Sequence, residues 1–401
     1  MKKKIVSIHF GGNVGGAPIS MLQMLAVLNK HGYTTLAIFT ESGPILKFAK
    51  TLNVSTKVVP MRSVFSYGAY VPLSIKSLYN FFTYYYQTVR ASRKIIKKIK
   101  PDIVHINTSV LIPTAIGVKK LGVPILWHIR EAPGPNKFIR NWHIGMIKKL
   151  SNAIIVTSNY VKEYYKNGFN VKTVHNAVDL LRFKIDSKEA RRRIRSEFNI
   201  SEKSPLICMI GSIQKAKGHF LLVESAKKII ENNQNVKFLI IAGGVGKGYQ
   251  KSWKGKIKNF LGIPFDNLEK MKNMILDLNL DNNFIFTGYR EDIPELLAAS
   301  DIVTFLSQDA EGFGRPIIEG MAMKKPVVAT DIGPSKEILN QESGILIPVG
   351  KVNPLIDALN KLISNPQLCR DMGQKGNQIV EKKFALDKQI LKIKKHIDAL
   401  L

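Results

Sequence analysis

Short, almost wholly apolar runs rich in Val and Ile alternate along this chain with helix-length amphipathic segments, in two successive series. The first series of candidate strands is Ile5–Phe10, Thr35–Phe39, Ile103–Ile106, Ile125–Ile129, Ala153–Thr157 and Lys172–His175. The second is Leu206–Ile210, Lys237–Ala242, Phe284–Phe286, Asp301–Phe305, Pro326–Ala329 and Ile345–Pro348. A strand that is apolar at every position has no face to give to water, so both faces must be covered by helices, which is the pattern of a parallel sheet. Two such series predict two α/β domains, and 401 residues is more than one core usually holds. The expected division is residues 1–180, a charged linker helix region at 181–204, a second domain at 205–384, and a final helix at 385–401. That helix has Leu386, Ile390, Ile393 and Ile397 at helical spacing and is expected to pack back toward the first domain. Two such domains facing each other make a cleft, and open parallel sheets bind ligands beyond the carboxyl ends of their strands.

Composition excludes several classes. The two cysteines, Cys208 and Cys369, are far apart and lack metal-ligand spacing, so neither a disulfide framework nor a zinc site is expected. The opening Met1-Lys-Lys-Lys-Ile5 run meets Gly11-Gly12 without a small-residue cleavage motif, so it reads as a first strand and not as a signal peptide. No apolar stretch approaches the ~18 residues of a membrane span. The net charge of +30 calls for an anionic partner, unless it is in part a drift of composition toward lysine. From Ser42 to Pro101 there is no acidic residue, against eleven Lys or Arg.

Four segments that follow strands carry chemistry. Gly11-Gly-Asn-Val-Gly-Gly16 precedes a helix, where glycines let the backbone approach an anion and the helix N-terminus attracts it; the same glycines also suit a plain turn. Trp127-His-Ile-Arg-Glu131 places His128 to donate to a sugar hydroxyl or a developing charge and Arg130 to face a phosphate. Gly211-Ser-Ile-Gln-Lys-Ala-Lys-Gly218 offers Lys215 and Lys217 to a diphosphate. Glu311-Gly-Phe-Gly-Arg-Pro-Ile-Ile-Glu319 is the most informative. Pro316 suits a first helical turn, so the amides of Gly314 and Arg315 form an anion site. Glu311 and Glu319 then stand roughly 10 Å apart for hydroxyl pairs at the two ends of one ligand. Hydroxyls at both ends with phosphate between describe a nucleotide sugar.

Together with Phe286-Thr-Gly-Tyr-Arg-Glu-Asp-Ile-Pro294, Lys325-Pro-Val-Val-Ala-Thr-Asp331, Gly344-Ile-Leu-Ile347 and His175-Asn-Ala-Val-Asp179, these segments resemble the retaining glycosyltransferases of family 4, with the GT-B fold of two Rossmann-like domains. The resemblance implies that Glu311 contacts the donor sugar beside the amides of Gly312, Phe313 and Gly314. It implies that Glu319 binds the ribose, that Lys217 binds the diphosphate with Gly15 and Gly16, and that Arg315 lines the same donor site. His128 is then close to the reacting sugar, and Tyr289 and Arg290 flank the nucleobase. The family needs no cofactor or bound metal, the nucleotide sugar being a co-substrate, and it retains stereochemistry. The implied activity is transfer of a hexose-type sugar to a glycan or lipid-linked acceptor, in cell-surface polysaccharide or lipopolysaccharide synthesis.

This chain departs from the family in having Ser212 where an arginine often stands, so Arg130, Lys215 or Arg315 must supply the second phosphate cation or the grip is weaker. A basic, aromatic stretch at Gly246–Phe265 looks like an insertion, either touching membrane or acceptor or simply solvated. The aromatic-rich run Leu78–Tyr86, followed by Arg90, Arg93, Lys94, Lys97, Lys98 and Lys100, suits an anionic membrane surface or a solvated basic face. The expected location is cytoplasmic, peripheral on the inner face of the cell membrane. Nucleic acid is not an expected partner, since no recognition motif occurs. A sugar-nucleotide epimerase or hydrolase of the same fold is the nearer alternative.

Overall fold

A computed structural model describes residues 2–62, 75–242 and 267–401. The basic stretch 246–265 therefore lies outside the described residues. The chain forms two compact units, Met1–Ala177 with Leu386–Leu401, and Val178–Ala385.

Unit 1 is built on a seven-stranded, all-parallel sheet of β1 (Lys4–His9), β2 (Thr34–Phe39), β3 (Thr56–Val58), β4 (Ile103–Ile106), β5 (Ile125–Ile129), β6 (Ala153–Val156) and β7 (Val171–Thr173), in the order β3-β2-β1-β4-β5-β6-β7. Unit 2 has a six-stranded parallel sheet of β8 (Leu206–Ile210), β9 (Lys237–Ile241), β10 (Phe284–Phe286), β11 (Ile302–Phe305), β12 (Val327–Thr330) and β13 (Gly344–Ile347), in the order β10-β9-β8-β11-β12-β13. The apolar runs of the sequence are these strands, with ends shifted by a residue or two, and the central ones, such as β1, β4, β5, β8, β11 and β12, are buried along nearly their whole length. Only β3 has no counterpart among the candidate strands. It is three residues long with two of them exposed, an edge strand without an apolar signature.

The winding reverses at one place in each sheet. In unit 1 it lies between β1 and β4, and in unit 2 between β8 and β11. Crossover helices leave these two neighbours in opposite directions, so a crevice opens beyond their carboxyl ends.

The region 181–204 corrects the sequence reading. It is not a separate linker but part of unit 2. Asp186 caps the helix Ser187–Glu197 by accepting from the Lys188 and Glu189 amides, and Ala190 and Ile194 enter the core. Arg195 is 1% exposed, and its Nη2 lies 2.8 Å from Asp301. Arg191 and Arg195 are paired with Asp301 within the fold, while Arg192 and Arg193 are exposed. The helix Leu386–Asp398 belongs to unit 1, where Ile390, Ile393 and Ile397 join a core with Ile5, Met21 and Leu25.

The long helix Ile75–Ile99 lies against the helix Ile112–Lys119 through a glycine contact. A Cβ on Gly117 would sit 2.5 Å from the Val89 carbonyl oxygen and closer still to Ser92 Oγ. Gly117→Ala is expected to destabilise unit 1 by roughly 1–3 kcal/mol through overpacking. A denaturant midpoint equal to wild type would show that the two helices separate freely.

Candidate active site

The two loops beside the unit 2 crevice are held together by their own backbone. β8 runs into Gly211–Gly218 and β11 into Leu306–Gly314. The Gln308 amide donates to the Ala216 carbonyl at 2.7 Å, and Ser307 Oγ lies 3.2 Å from the same oxygen. Gly218 is required here twice over: its φ is +81°, and a Cβ would overlap the Leu306 carbonyl. This close approach brings Lys217 Nζ to 2.7 Å from Glu311 Oε1. Ser307 Oγ donates to that same carboxylate oxygen at 2.6 Å, while Thr330 Oγ1 anchors the Ser307 carbonyl at 2.7 Å. Among the described residues Glu311 Oε2 has no hydrogen bond, so one oxygen is held and the other remains for a ligand.

Gly314, at φ +105°, starts the helix Arg315–Ala322, with Pro316 in its first turn. Glu319 lies one turn in, with Oε1 accepting from Arg315 Nε at 3.1 Å and Nη2 at 2.7 Å. The helix lies close on its strand because residue 320 is glycine: a Cβ there would meet Val303 at 3.1 Å. Phe313 contributes no exposed ring, being 2% exposed and edge-on to Phe384 at 5.7 Å. Only its backbone is available to a ligand.

Tyr289 follows Gly288 (φ +71°) at the carboxyl end of β10, and it is 52% exposed. Arg290 differs from the sequence expectation. Its guanidinium is held by Asp292, with Nε–Oδ1 at 2.7 Å, and by both carboxylate oxygens of Glu197. These two acids hold its pKa above the usual arginine value. It therefore fastens the helix Ser187–Glu197 to the loop that carries Tyr289. Ser212, in place of the family's arginine, accepts from its neighbour Gln214 at 3.1 Å. Lys215 is exposed.

In unit 1 the glycine loop divides its labour. Gly11 has φ +84° and Gly12 lies against the Glu41 carbonyl, where a Cβ would be at 2.6 Å. Gly15 is the N-cap of the 15-residue helix Gly16–Lys30, with open space at its Cβ position apart from Pro18 at 3.8 Å. The first pair is demanded by the fold, and the second lies at a helix N-terminus suited to an anion.

Beside it lies a polar cluster that sequence reasoning found only in part. The register pairs Ser7 with His105 and His105 with Leu126, so Ser7 and His9, His105 and Asn107, His128 and Arg130 all lie on one face of the sheet. Asn107 Nδ2 is 3.1 Å from His9 Nδ1 and donates to the Ala17 carbonyl. Arg130 Nε and Nη1 donate to Asn107 Oδ1 and Asn176 Oδ1, each at 2.6 Å. Arg130 is thus buried among side chains rather than open to a phosphate. His9, His105, Asn107 and Asn176 carry no role in the sequence reading. The available signal was polar residues at two-residue spacing at three strand ends, which becomes meaningful only once the strand order is known.

Burial, seconded by the Arg130 charge, holds His105 at about 3 and His128 well below the ordinary histidine range. Burial likewise holds His9 at about 4. The unfolded chain takes up these protons below pH ~6.5, while the folded one refuses them. Stability is therefore complete above pH 6.5 and declines as pH falls toward 4, by about 3 kcal/mol for His9 alone. The buried Glu131, whose pKa is raised by desolvation, works in the opposite direction. Calorimetry is expected to show a clear fall in Tm between pH 7 and pH 5. A flat profile would contradict a neutral buried cluster.

Among the described residues, no three His, Cys, Asp or Glu side chains come together as a metal site, and no helix is long and apolar enough to cross a membrane.

Comparison with known proteins completes the picture. Residues 14–182 match the family Glycosyltransferase Family 4, and residues 190–379 match Glycosyl transferases group 1. N-acetyl-alpha-D-glucosaminyl L-malate synthase of Bacillus anthracis is 25% identical over 61% of this chain and 56% of its own length. UDP-Gal:alpha-D-GlcNAc-diphosphoundecaprenol alpha-1,3-galactosyltransferase of Escherichia coli is 25% identical over 75% of this chain and 76% of its own. Poly(ribitol-phosphate) alpha-N-acetylglucosaminyltransferase of Staphylococcus aureus is 27% identical over 61% of this chain. The match thus spans a little over half of the first relative and 45% of the third. In three dimensions, Anabaena HepE solved with UDP and glucose superposes with a TM-score of 0.81 at 19% identity, covering 99% of this chain and 100% of that one. Staphylococcus aureus TarM superposes at 0.72 and 16% identity, covering 99% of each. Two Rossmann-like parallel sheets, adjoining loops that bear a lysine and a carboxylate at the unit 2 crevice, and family matches over both halves lead to one conclusion: this chain belongs to the group 1 glycosyltransferases of the GT-B fold.

Proposed function

We propose that this protein is a retaining, metal-independent hexosyltransferase that takes its sugar from a uridine diphosphate donor and passes it to a glycan or lipid-linked acceptor of a cell-surface polysaccharide. The observation that carries the reading is the Lys217–Glu311 pair at 2.7 Å, on adjoining loops at the reversal point of the unit 2 sheet. The two charges neutralise each other without ligand. A donor that offers phosphate to Lys217 and sugar hydroxyls to Glu311 replaces both halves of the pair at once. The amides of Gly312, Phe313 and Gly314 and the helix N-terminus add positive potential for the diphosphate, Glu319 takes the ribose hydroxyls, and Tyr289 lies against the base.

In the transfer the C1–O bond to the diphosphate breaks, and a bond from C1 to the acceptor oxygen forms on the same face. The acceptor proton passes to the departing phosphate. Uridine is supported by HepE, solved with UDP and with UDP-glucose, and by the UDP-Gal of the Escherichia coli relative. That relative's name also gives a diphosphoundecaprenol acceptor, and the Staphylococcus aureus relative's a poly(ribitol-phosphate). Incubation of labelled UDP-hexoses with diphosphate-linked polyprenyl glycans is expected to give EDTA-insensitive transfer, with the product anomer matching the donor. An epimerised or hydrolysed donor in place of transfer would overturn the assignment.

A peripheral site of action at an anionic membrane belongs to the same proposal. Tyr79, Phe82 and Tyr86 recur at three- and four-residue spacing on the helix Ile75–Ile99 and are exposed, ahead of exposed Arg90, Arg93, Lys94, Lys97 and Lys98. Phe138 and Trp142 are exposed on the helix Lys137–Leu150, which, like the helix Ile75–Ile99, packs against Ile112–Lys119. Each basic residue near an anionic surface contributes about 1 kcal/mol. The protein is expected to float with phosphatidylglycerol vesicles at low salt and to be released at high salt. Equal binding to neutral vesicles, or none, would remove the membrane from the account.

A further inference from the structure

The polar cluster of unit 1 has a direction. We infer that Arg130 and His105 fix His128 as an imidazole protonated on Nε2, so that a one-way hydrogen-bond chain from Ser7 through His105 presents a single N–H donor to an acceptor oxygen of a ligand. The inference rests on the expectation, implied by the family resemblance, that His128 meets the substrate. It goes further in making Arg130 and His105 positioning residues with a defined effect.

Arg130 sets the direction, because a guanidinium donates and never accepts. Its Nε and Nη1 are fixed by Asn107 and Asn176, and its Nη2 lies 3.2 Å from His128 Nδ1. Nδ1 must therefore be the bare, accepting nitrogen. His105 Nε2 lies 3.3 Å from the same atom. Two lone pairs do not face each other, so His105 Nε2 carries its proton and donates. A neutral His105 is then bare at Nδ1, where it accepts from Ser7 Oγ at 3.0 Å. The direction Ser7 to His105 to His128 follows from one residue that cannot accept.

Neutrality is secured separately, by burial and by the Arg130 charge, which hold both imidazoles uncharged at neutral pH. The chain ends at His128 Nε2. This atom is buried and has no hydrogen-bond partner among the described residues. Buried donors are almost always paired in a finished structure, so this one is open to a ligand oxygen. An Nε2–H imidazole flanked by an arginine is a donor and not a general base. His128 accordingly orients or polarises an oxygen, either a sugar hydroxyl or a phosphate oxygen, and takes no proton from it.

The test uses the full chain labelled with 15N-histidine. Long-range 1H–15N correlation spectra read the tautomer without substrate, with His128 and His105 assigned by signal loss in His128→Gln and His105→Gln. Both residues are expected as Nε2–H tautomers at pH 7. Arg130→Lys, still donor-only, should keep them so, whereas Arg130→Gln, which can turn its carbonyl toward Nδ1, should populate the Nδ1–H form of His128. A wild-type His128 protonated on Nδ1, or an Arg130→Gln spectrum unchanged from wild type, would overturn the inference.

In transfer assays Arg130→Gln is expected to lose about 10²-fold in kcat, the order seen on removing one oriented donor, with UDP affinity unchanged and activity restored in Arg130→Lys. Addition of UDP and of UDP-sugar separates the two ligand oxygens. A shift of the His128 Nε2–H signal with UDP-sugar alone assigns the sugar hydroxyl, and a shift with either assigns the phosphate. If the tautomers are as stated but neither ligand moves the signal and His128→Gln transfers normally, the substrate reading of His128 fails and the oriented chain stands.

Discussion

Glu311→Gln is expected to lower kcat for transfer by about 10²- to 10³-fold while UDP binds as tightly as to wild type or several-fold tighter. The opposed effects come from one contact. Glu311 Oε1 lies 2.7 Å from Lys217 Nζ, so in the free protein the lysine that is to receive a phosphate is already neutralised. Glutamine keeps the shape and the acceptor for Ser307, which donates at 2.6 Å, but it removes the charge. Lys217 is then released for the diphosphate, while the sugar loses a carboxylate. Kinetic constants for a UDP-sugar together with direct UDP titration would separate the two. Parallel losses in UDP affinity and kcat would mean that Glu311 supports the loop rather than the sugar.

Asp301→Ala is the second large effect, and it acts on stability. Asp301 accepts from Arg191 Nη1, Arg195 Nη2 and the Leu206 amide, each at 2.8 Å. It therefore joins the helix Ser187–Glu197 to the first residues of β8 and β11, the two strands that run into the Lys217 and Glu311 loops. Arg195 is 1% exposed, and without the Asp301 carboxylate its guanidinium is a buried charge left with backbone carbonyls and the more distant Glu202, 3.9 Å from its Nε. Removing one partner of a buried pair costs roughly 3–5 kcal/mol, and the lower end applies because Asp301 is itself one-third exposed. Arg191→Ala removes a partner that is 26% exposed and should cost less than about 1 kcal/mol. Equal, small changes in the denaturation midpoints of the two variants would show that the network is ornamental.

The strands were legible because a doubly covered strand writes its burial into every position. β3 was not, since an edge of three residues with two exposed has no such record. The two unit 2 loops were legible because their glycines and charges stand where strands end. The Gly218 contact with the Leu306 carbonyl then explains why Lys217 and Glu311, ninety-four positions apart in sequence, share one hydrogen-bonded corner. Arg290 read as a ligand contact because nothing local reveals that Glu197, across the unit, is waiting for it. The stretch 181–204 read as a linker for the same reason, the counter-ion of Arg191 and Arg195 lying far off in sequence at Asp301. His105 illustrates the harder limit. A histidine within an apolar strand acquires meaning only from its neighbours in register, and register is a property of the folded sheet.

The account turns on a nucleotide held by Lys217 on the unit 2 loops. Calorimetric titration of UDP, GDP and ADP into the wild type and Lys217→Ala tests it directly. The account predicts saturable 1:1 binding of UDP in the micromolar-to-millimolar range usual for substrates, weaker binding of the other two, and a loss of about tenfold or more in Lys217→Ala. Absence of binding by any nucleoside diphosphate, or an unchanged UDP affinity in Lys217→Ala, would contradict it.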